Sequence, residues 1–289
     1  MAKKLIRFDW AIKKLLRHKA NFTILEGFLS ELLKFDVVIE SILESESNKQ
    51  HQDDKFNRVD ILVRTTNGEL MLIEVQNESE VDYFQRMVFG VSKLITEYIK
   101  EGEPYGTIKK VISITIAYFA LGQGEDYIYE YRGTFVGIHL RDTLHPTSSQ
   151  RDRYQIEKIA DIFPKYFILK VNNFNDIAKN TLDEWIYFLK NSEVKEEFRA
   201  KGLQEAREKL LEDALSEDER AAYRRYRENR RIERSIMETA YMDGGRERAV
   251  GMAEKAIIKG YDLQDIAEMT GLKLKEIQDL AEKLKNKKE

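Results

Sequence analysis

Residues 57–76 read NRVDILVRTTNGELMLIEVQ. Two runs rich in β-branched and apolar residues flank Thr66-Asn67-Gly68-Glu69. Asn-Gly between such runs is a strong hairpin signal, because both residues tolerate the positive φ of a tight turn. Strands are therefore expected at about 58–65 and 70–76. Side chains two apart on a strand share a face, so Glu74 and Gln76 point the same way. The hairpin can bring Asp60 onto that face beside Glu74. A carboxylate flanked by Val59, Ile61, Ile73 and Val75 is costly unless it is paired or holds a cation. Two adjacent carboxylates also repel, which recruits a proton or a positive ion. Asp, Glu and an amide oxygen are hard donors that suit Mg2+, Mn2+ or Ca2+. An edge hairpin whose acids merely face water would show the same alternation, and spacing alone leaves both readings open.

Working outward, residues 8–34 read as two helices, the second (FTILEGFLSELLKF) striped by Ile24, Leu25, Phe28, Leu29 and Leu32 and capped by Asn21. Polar residues 44–57 read as a loop. A helix is expected from Glu80 to Lys100, with Tyr83, Phe84, Met87, Val91, Leu94, Ile95 and Tyr98 on its apolar side. VISITIAYF (111–119), TFVGIHL (134–140) and KYFILKV (165–171) read as further strands. Strand, strand, helix, strand is a mixed α/β order, so a central sheet flanked by helices follows. After about residue 176 the chain turns helical and highly charged. The expected organisation is an α/β domain over 1–175, a charged helical extension over 176–245, and a small helical tail over 246–289 with helix-turn-helix texture.

Charged residues make up 34% of the 289, yet the net charge is only −3, which argues against a uniformly basic nucleic-acid binder but permits a local basic face. The absence of cysteine excludes disulfides, thiolate zinc sites and cysteine nucleophiles. No segment approaches the roughly 20 apolar residues that span a bilayer. No signal-peptide run is present, and a cytoplasmic location is the default expectation.

With these residues in view, the chain resembles the PD-(D/E)XK nuclease superfamily, whose signature is an Asp on one strand and acid-x-Lys on the next. More narrowly, it is similar to the Rpn-type family of recombination-promoting nucleases and transposases. The resemblance rests on FDWAIKKLL (8–16), LEGFLSELL (25–33), NRVDILV (57–63), Glu74-Val75-Gln76 and YFQRMVFGVSKL (83–94). It spans about residues 5–240, and the order and spacing of these motifs are more specific than any one of them. The resemblance implies a restriction-endonuclease-like fold, with Asp60 and Glu74 as metal-binding carboxylates and Asp60, Glu74 and Gln76 as the catalytic set. The Val75 backbone carbonyl would add a ligand, and Glu26 would be a first-helix acid reaching the metal through water, with Glu31 as its rival. Gln85 and Arg86 would face the DNA phosphate, and Asn57 and Arg58 would brace the Asp60 strand. Gln76 stands where the superfamily usually has Lys. It can hydrogen-bond but carries no charge to set against a phosphate.

Other signals are weaker. His51, His139, His145 and His18 (the last placed in the first helix) show no metal-ligand spacing. Gly122-Gln123-Gly124 reads as a loop, and no Walker motif is present. RRYRENRRIERS (224–235) is either a DNA-backbone contact or a solvated helix with interleaved Glu. The tail could place a helix in a DNA groove or serve packing. The leading expectation is a divalent-metal-dependent DNA endonuclease, using Mg2+ (or Mn2+ or Ca2+) and linked to recombination or mobile elements. Its partner would be DNA, with no membrane and with self-association through the C-terminal helices. The alternatives are a catalytically silent DNA-binding or protein-interaction module on the same fold and a helical oligomerisation scaffold.

Overall fold

The computed structural model describes residues 5–43, 59–98 and 104–286. The loop expected at 44–57 lies outside them. Two compact units are present, Met1–Ser216 and Glu217–Glu289.

Among the described residues the first unit has six strands: β1 (Ile39–Leu43), β2 (Val59–Thr65), β3 (Leu70–Gln76), β4 (Val111–Ala117), β5 (Ile128–Glu130) and β6 (Lys165–Lys170). Their spatial order is β1-β2-β3-β4-β6-β5. The expected hairpin forms: β2 and β3 are antiparallel, with Val59 opposite Val75 and Arg64 opposite Leu70. Gly68 takes φ +78° in its turn, a conformation open to glycine at little steric cost. β3 then runs parallel to β4, and β4 parallel to β6. The crossover from β3 to β4 is α3 (Tyr83–Glu97), which buries Tyr83, Met87, Val91 and Leu94. β3 and β4 are buried along their whole length, as central parallel strands between two layers should be.

One layer is α3. Its Val91 and Leu94 pack on Leu62, Leu70, Leu72 and Val111, which sets the even-numbered β3 positions on the α3 side. The other layer holds α1 (Phe8–Lys14), α2 (Phe22–Leu33), α5 (Thr181–Asn191) and α6 (Leu203–Lys209). Its centre is an edge-to-face cluster of Phe8, Phe28, Trp185 and Phe188. The Trp185 indole N–H donates to the Lys201 carbonyl at 3.1 Å. Chain ends are tied as well: the Ile6 N–H donates to the Leu210 carbonyl at 2.8 Å. These contacts explain why residues 176–216, so charged in composition, pack as part of the α/β unit.

Three sequence expectations need correction. Residues 134–140 are not a strand; they form a loop with a single bridge between Val136 and Thr143. The outer strand is the shorter β5 before it. TFVGIHL is apolar enough for a strand, but Gly133 and Gly137 interrupt it and Ile138 and Leu140 lie 80% and 85% exposed. Asn21 precedes α2 but does not cap it by its side chain; its amide donates back to the Leu15 carbonyl at 2.9 Å. His18 follows α1 rather than lying in it. Further elements not anticipated are β1, whose register slips between Ile39 and Ser41, the short β5, and α4 (Ser148–Tyr154).

The second unit comprises α7 (Glu217–Ile258), α8 (Leu263–Thr270) and α9 (Leu274–Asn286). Gly260 (φ +79°) and Gly271 (φ +70°) make the two reversals, at the positions where the sequence breaks its helical pattern. Ala253, Ile266 and Ile277 form its core. No helix among the described residues is long and apolar enough to cross a membrane.

Candidate functional site

The site lies where β2, β3 and β4 pass beneath the first turns of α3. Register aligns Asp60, Glu74, Thr115 and Ile168 in one row across β2, β3, β4 and β6. Directly opposed residues of an antiparallel pair occupy the same face, so positions 60 and 74 share the α3 side. Gln76 lies two residues on, in a row that continues to Ala117 and Lys170. Asp60 is placed here by backbone register alone.

Glu74 and Gln76 are only 5% and 6% exposed. A carboxylate at that depth needs partners. The Tyr83 hydroxyl donates to Glu74 Oε2 at 3.1 Å, and the Thr115 hydroxyl lies 3.4 Å from the Tyr83 oxygen. Burial, reinforced by the negative charge of Glu74, pushes the Tyr83 phenol well above its ordinary range. Tyr83 is therefore a fixed donor at neutral pH. Arg86 stands one helical turn on, with Nη2 3.6 Å from Glu74 Oε1 and its guanidinium 5.4 Å from the Tyr83 ring centre. Arg86 Nη1 also donates to both oxygens of Glu80, at 2.9 and 3.0 Å. The Gln76 amide nitrogen donates to Glu80 Oε1 at 3.0 Å and to the Glu78 carbonyl at 3.3 Å. Glu80 thus orients both Gln76 and Arg86.

The residues singled out from the sequence fall into two groups. Glu74, Gln76 and Arg86 are brought together, and the backbone register sets Asp60 opposite Glu74. Gln85 occupies the same helical turn with its side chain in solvent. Arg86 is turned toward the carboxylates. Glu26 stands apart: its Oε1 accepts the Ile39 backbone N–H at 2.8 Å. Ile39 pairs with Thr65, at the far end of β2 from Asp60, so roughly 16 Å of strand separates the two levels. Its rival Glu31 accepts the Thr181 hydroxyl at 2.6 Å and serves the α2–α5 contact. Val75 sends its side chain to the opposite, buried face. Asn57 and Arg58 lie outside the described residues. Three contributors went unrecognised. Tyr83 looked like a core aromatic and Glu80 like the start of a helix. Thr115 sat in an apolar strand, where its alignment with Glu74 becomes visible only through the β3–β4 register.

The residues suit a divalent cation. Asp60 and Glu74 are hard anionic donors and the Gln76 amide oxygen is a neutral one. With Glu80 the locality carries three acids against Arg86, an excess of negative charge. Among the described residues no three His, Cys, Asp or Glu side chains gather as a metal cluster. The fit therefore rests on Glu74, Gln76 and the backbone register of Asp60.

Comparison with known families gives a match to part of the chain. Residues 6–145 match the model of the PD-(D/E)XK nuclease family transposase. That span contains Asp60, Glu74, Gln76, Tyr83 and Arg86, and it carries a nuclease- or transposase-related role. No curated protein and no solved structure matches the chain.

Proposed function

From the family match over residues 6–145 as premise, we propose that the protein is a divalent-metal-dependent DNA endonuclease acting in recombination or on mobile elements. The observation that carries this reading is the register pair Asp60–Glu74, with Gln76 two residues on, on a sheet face where Glu74 and Gln76 are buried. A scaffold has no use for a carboxylate buried as deeply as that of Glu74, because desolvating it only costs stability.

The chain's own residues divide the work. Tyr83 keeps its proton and holds one Glu74 oxygen by hydrogen bond, which fixes the carboxylate's rotation. Glu80 holds the Gln76 amide nitrogen, so the amide oxygen is the end available as a donor. Arg86 offsets the charge of Glu74 and Glu80 inside the fold. Gln85, exposed at the start of α3, would meet a phosphate. A Mg2+ ion (or Mn2+ or Ca2+) held by Asp60, Glu74, the Gln76 amide oxygen and the Val75 carbonyl would activate water and neutralise charge on the scissile phosphate.

The test compares plasmid nicking in Mg2+, Mn2+ and chelator by wild type and Asp60→Ala. Nicking that needs the ion and disappears in the variant supports the reading. Cleavage indifferent to Asp60 or to chelation removes it. A second reading, a silent DNA-binding module, draws on the engagement of Arg86 with Glu80 and on Gln76 in place of a cationic residue. It would be favoured by calorimetry that detects no divalent binding.

A further inference from the structure

The row that starts at Asp60 and Glu74 passes through Thr115 and reaches Ile168, and there the α3 face opens into a groove of about 1060 Å3. Strands are spaced about 4.8 Å apart, so its floor begins roughly 10 Å from the Glu74 backbone. Tyr83 and Met87 form the dividing wall, packed on one side against Tyr166 and Ile168.

The lining is aromatic and wet. Phe84, Phe135 and Phe163 are 47%, 48% and 47% exposed, and Tyr131 is 62% exposed. Phe135 and Phe163 lie 5.4 Å apart at 56°, and Tyr131 meets Tyr166 edge-on at 5.9 Å. Four half-open rings around one groove leave apolar π-faces in water, an arrangement that marks a binding surface. Cations stand among the rings. Arg132 is paired with Glu130 at 2.8 Å, whereas Lys158 and Lys165 line the groove and form no ion pair among the described residues. Stacking faces interleaved with unspent ammonium groups fit a ligand with flat rings strung on an anionic backbone. An apolar peptide would leave the lysines unanswered, and a duplex keeps its bases turned inward.

We propose that this groove binds the unpaired bases of a single DNA strand leading away from the scissile phosphate, with Lys158 and Lys165 on its phosphates. The proposal rests on the nuclease reading of the adjacent site and narrows its substrate class to DNA with a single-stranded end or flap.

The test uses the full chain in chelator, where the nuclease reading expects no cleavage. Fluorescence anisotropy compares a 15-nucleotide oligo-dT strand with a 15-base-pair duplex. The strand is expected to bind more tightly. Phe135→Ala and Phe163→Ala should each weaken it about tenfold. Lys158→Ala, at an exposed position that does not endanger folding, should flatten the log–log salt slope by about 0.7. A strand carrying 5-iodouracil should photocrosslink to peptides containing Tyr131 or Phe135. Equal strand affinity in wild type and all three variants overturns the proposal, as do crosslinks mapping elsewhere. A dimer that Phe135→Asp dissociates would assign the groove to a second copy, and displacement of bound strand by apolar peptides but not by polyphosphate would assign it to protein. The two readings fail separately. Strand binding that depends on Phe135 without metal-dependent nicking leaves the groove standing on a silent module. Nicking that depends on Asp60 without strand preference leaves the nuclease and removes the groove.

Discussion

At the scale of single residues, Tyr83, Arg86 and the Gln76 amide hold the acids Glu74 and Glu80, and the first two make distinct predictions. Arg86 offsets Glu74 and Glu80 with a side chain only 17% exposed. Arg86→Leu should therefore cost about 3 kcal/mol in the metal-free protein, because it leaves buried charge uncompensated. Millimolar Mg2+ should restore much of that loss, which thermal melts with and without the ion would reveal. Tyr83→Phe removes the donor to Glu74 and should cost about 1–2 kcal/mol. It should also change the alkaline limb. The Tyr83 phenol is raised above its ordinary value of 10.0 by burial first, and Tyr127 is pushed up to about 12 by burial and its bond to Asp183. Native tyrosines that hold their protons longer than unfolded ones make stability fall as pH rises above about 10. Urea melts between pH 9 and 12 should show that fall, shallower in Tyr83→Phe. The shared face of positions 60, 74 and 76 was legible in the sequence because two-residue strand periodicity sorts faces without knowledge of neighbours. Tyr83, Glu80 and Thr115 were not, because their roles depend on the height of α3 over the sheet and on a parallel register.

At the scale of elements, the hairpin was the most readable part, since its turn chemistry and alternation agree. The segment at 134–140 misled for the opposite reason: strand-like composition without a partner strand is only an apolar loop. β1 escaped notice because IESIL is short and register-shifted beside a polar stretch. The α2–α6 crossing could not be read at all, because close approach leaves no pattern beyond a glycine. A Cβ on Gly27 would fall on the Lys201 carbonyl and the Gly202 Cα. Gly202, with φ +82°, answers it from the other side, against the Thr23 carbonyl. Gly27→Ala should therefore cost at least about 1–3 kcal/mol through overpacking, despite the better helix propensity of Ala. Denaturant midpoints compared with those of Ser92→Ala, on the exposed side of α3, would isolate the crossing.

At the scale of the whole molecule, the two units have separate cores, one around the sheet and one around Ala253, Ile266 and Ile277. Calorimetry should resolve two transitions, and Ile266→Asp should abolish the one belonging to the smaller unit by burying an unpaired charge. A single merged transition in wild type would refute that separation. The outer strands of the sheet have a consequence of their own. On one side β1 breaks its ladder between Ile39 and Ser41, and on the other β5 offers only Ile128–Glu130. A growing fibril needs a long, flat, uninterrupted backbone template on which each newcomer can lie. Among the described residues these borders supply none, so concentrated stocks of the folded protein should stay free of amyloid-type growth for as long as the sheet keeps its ends.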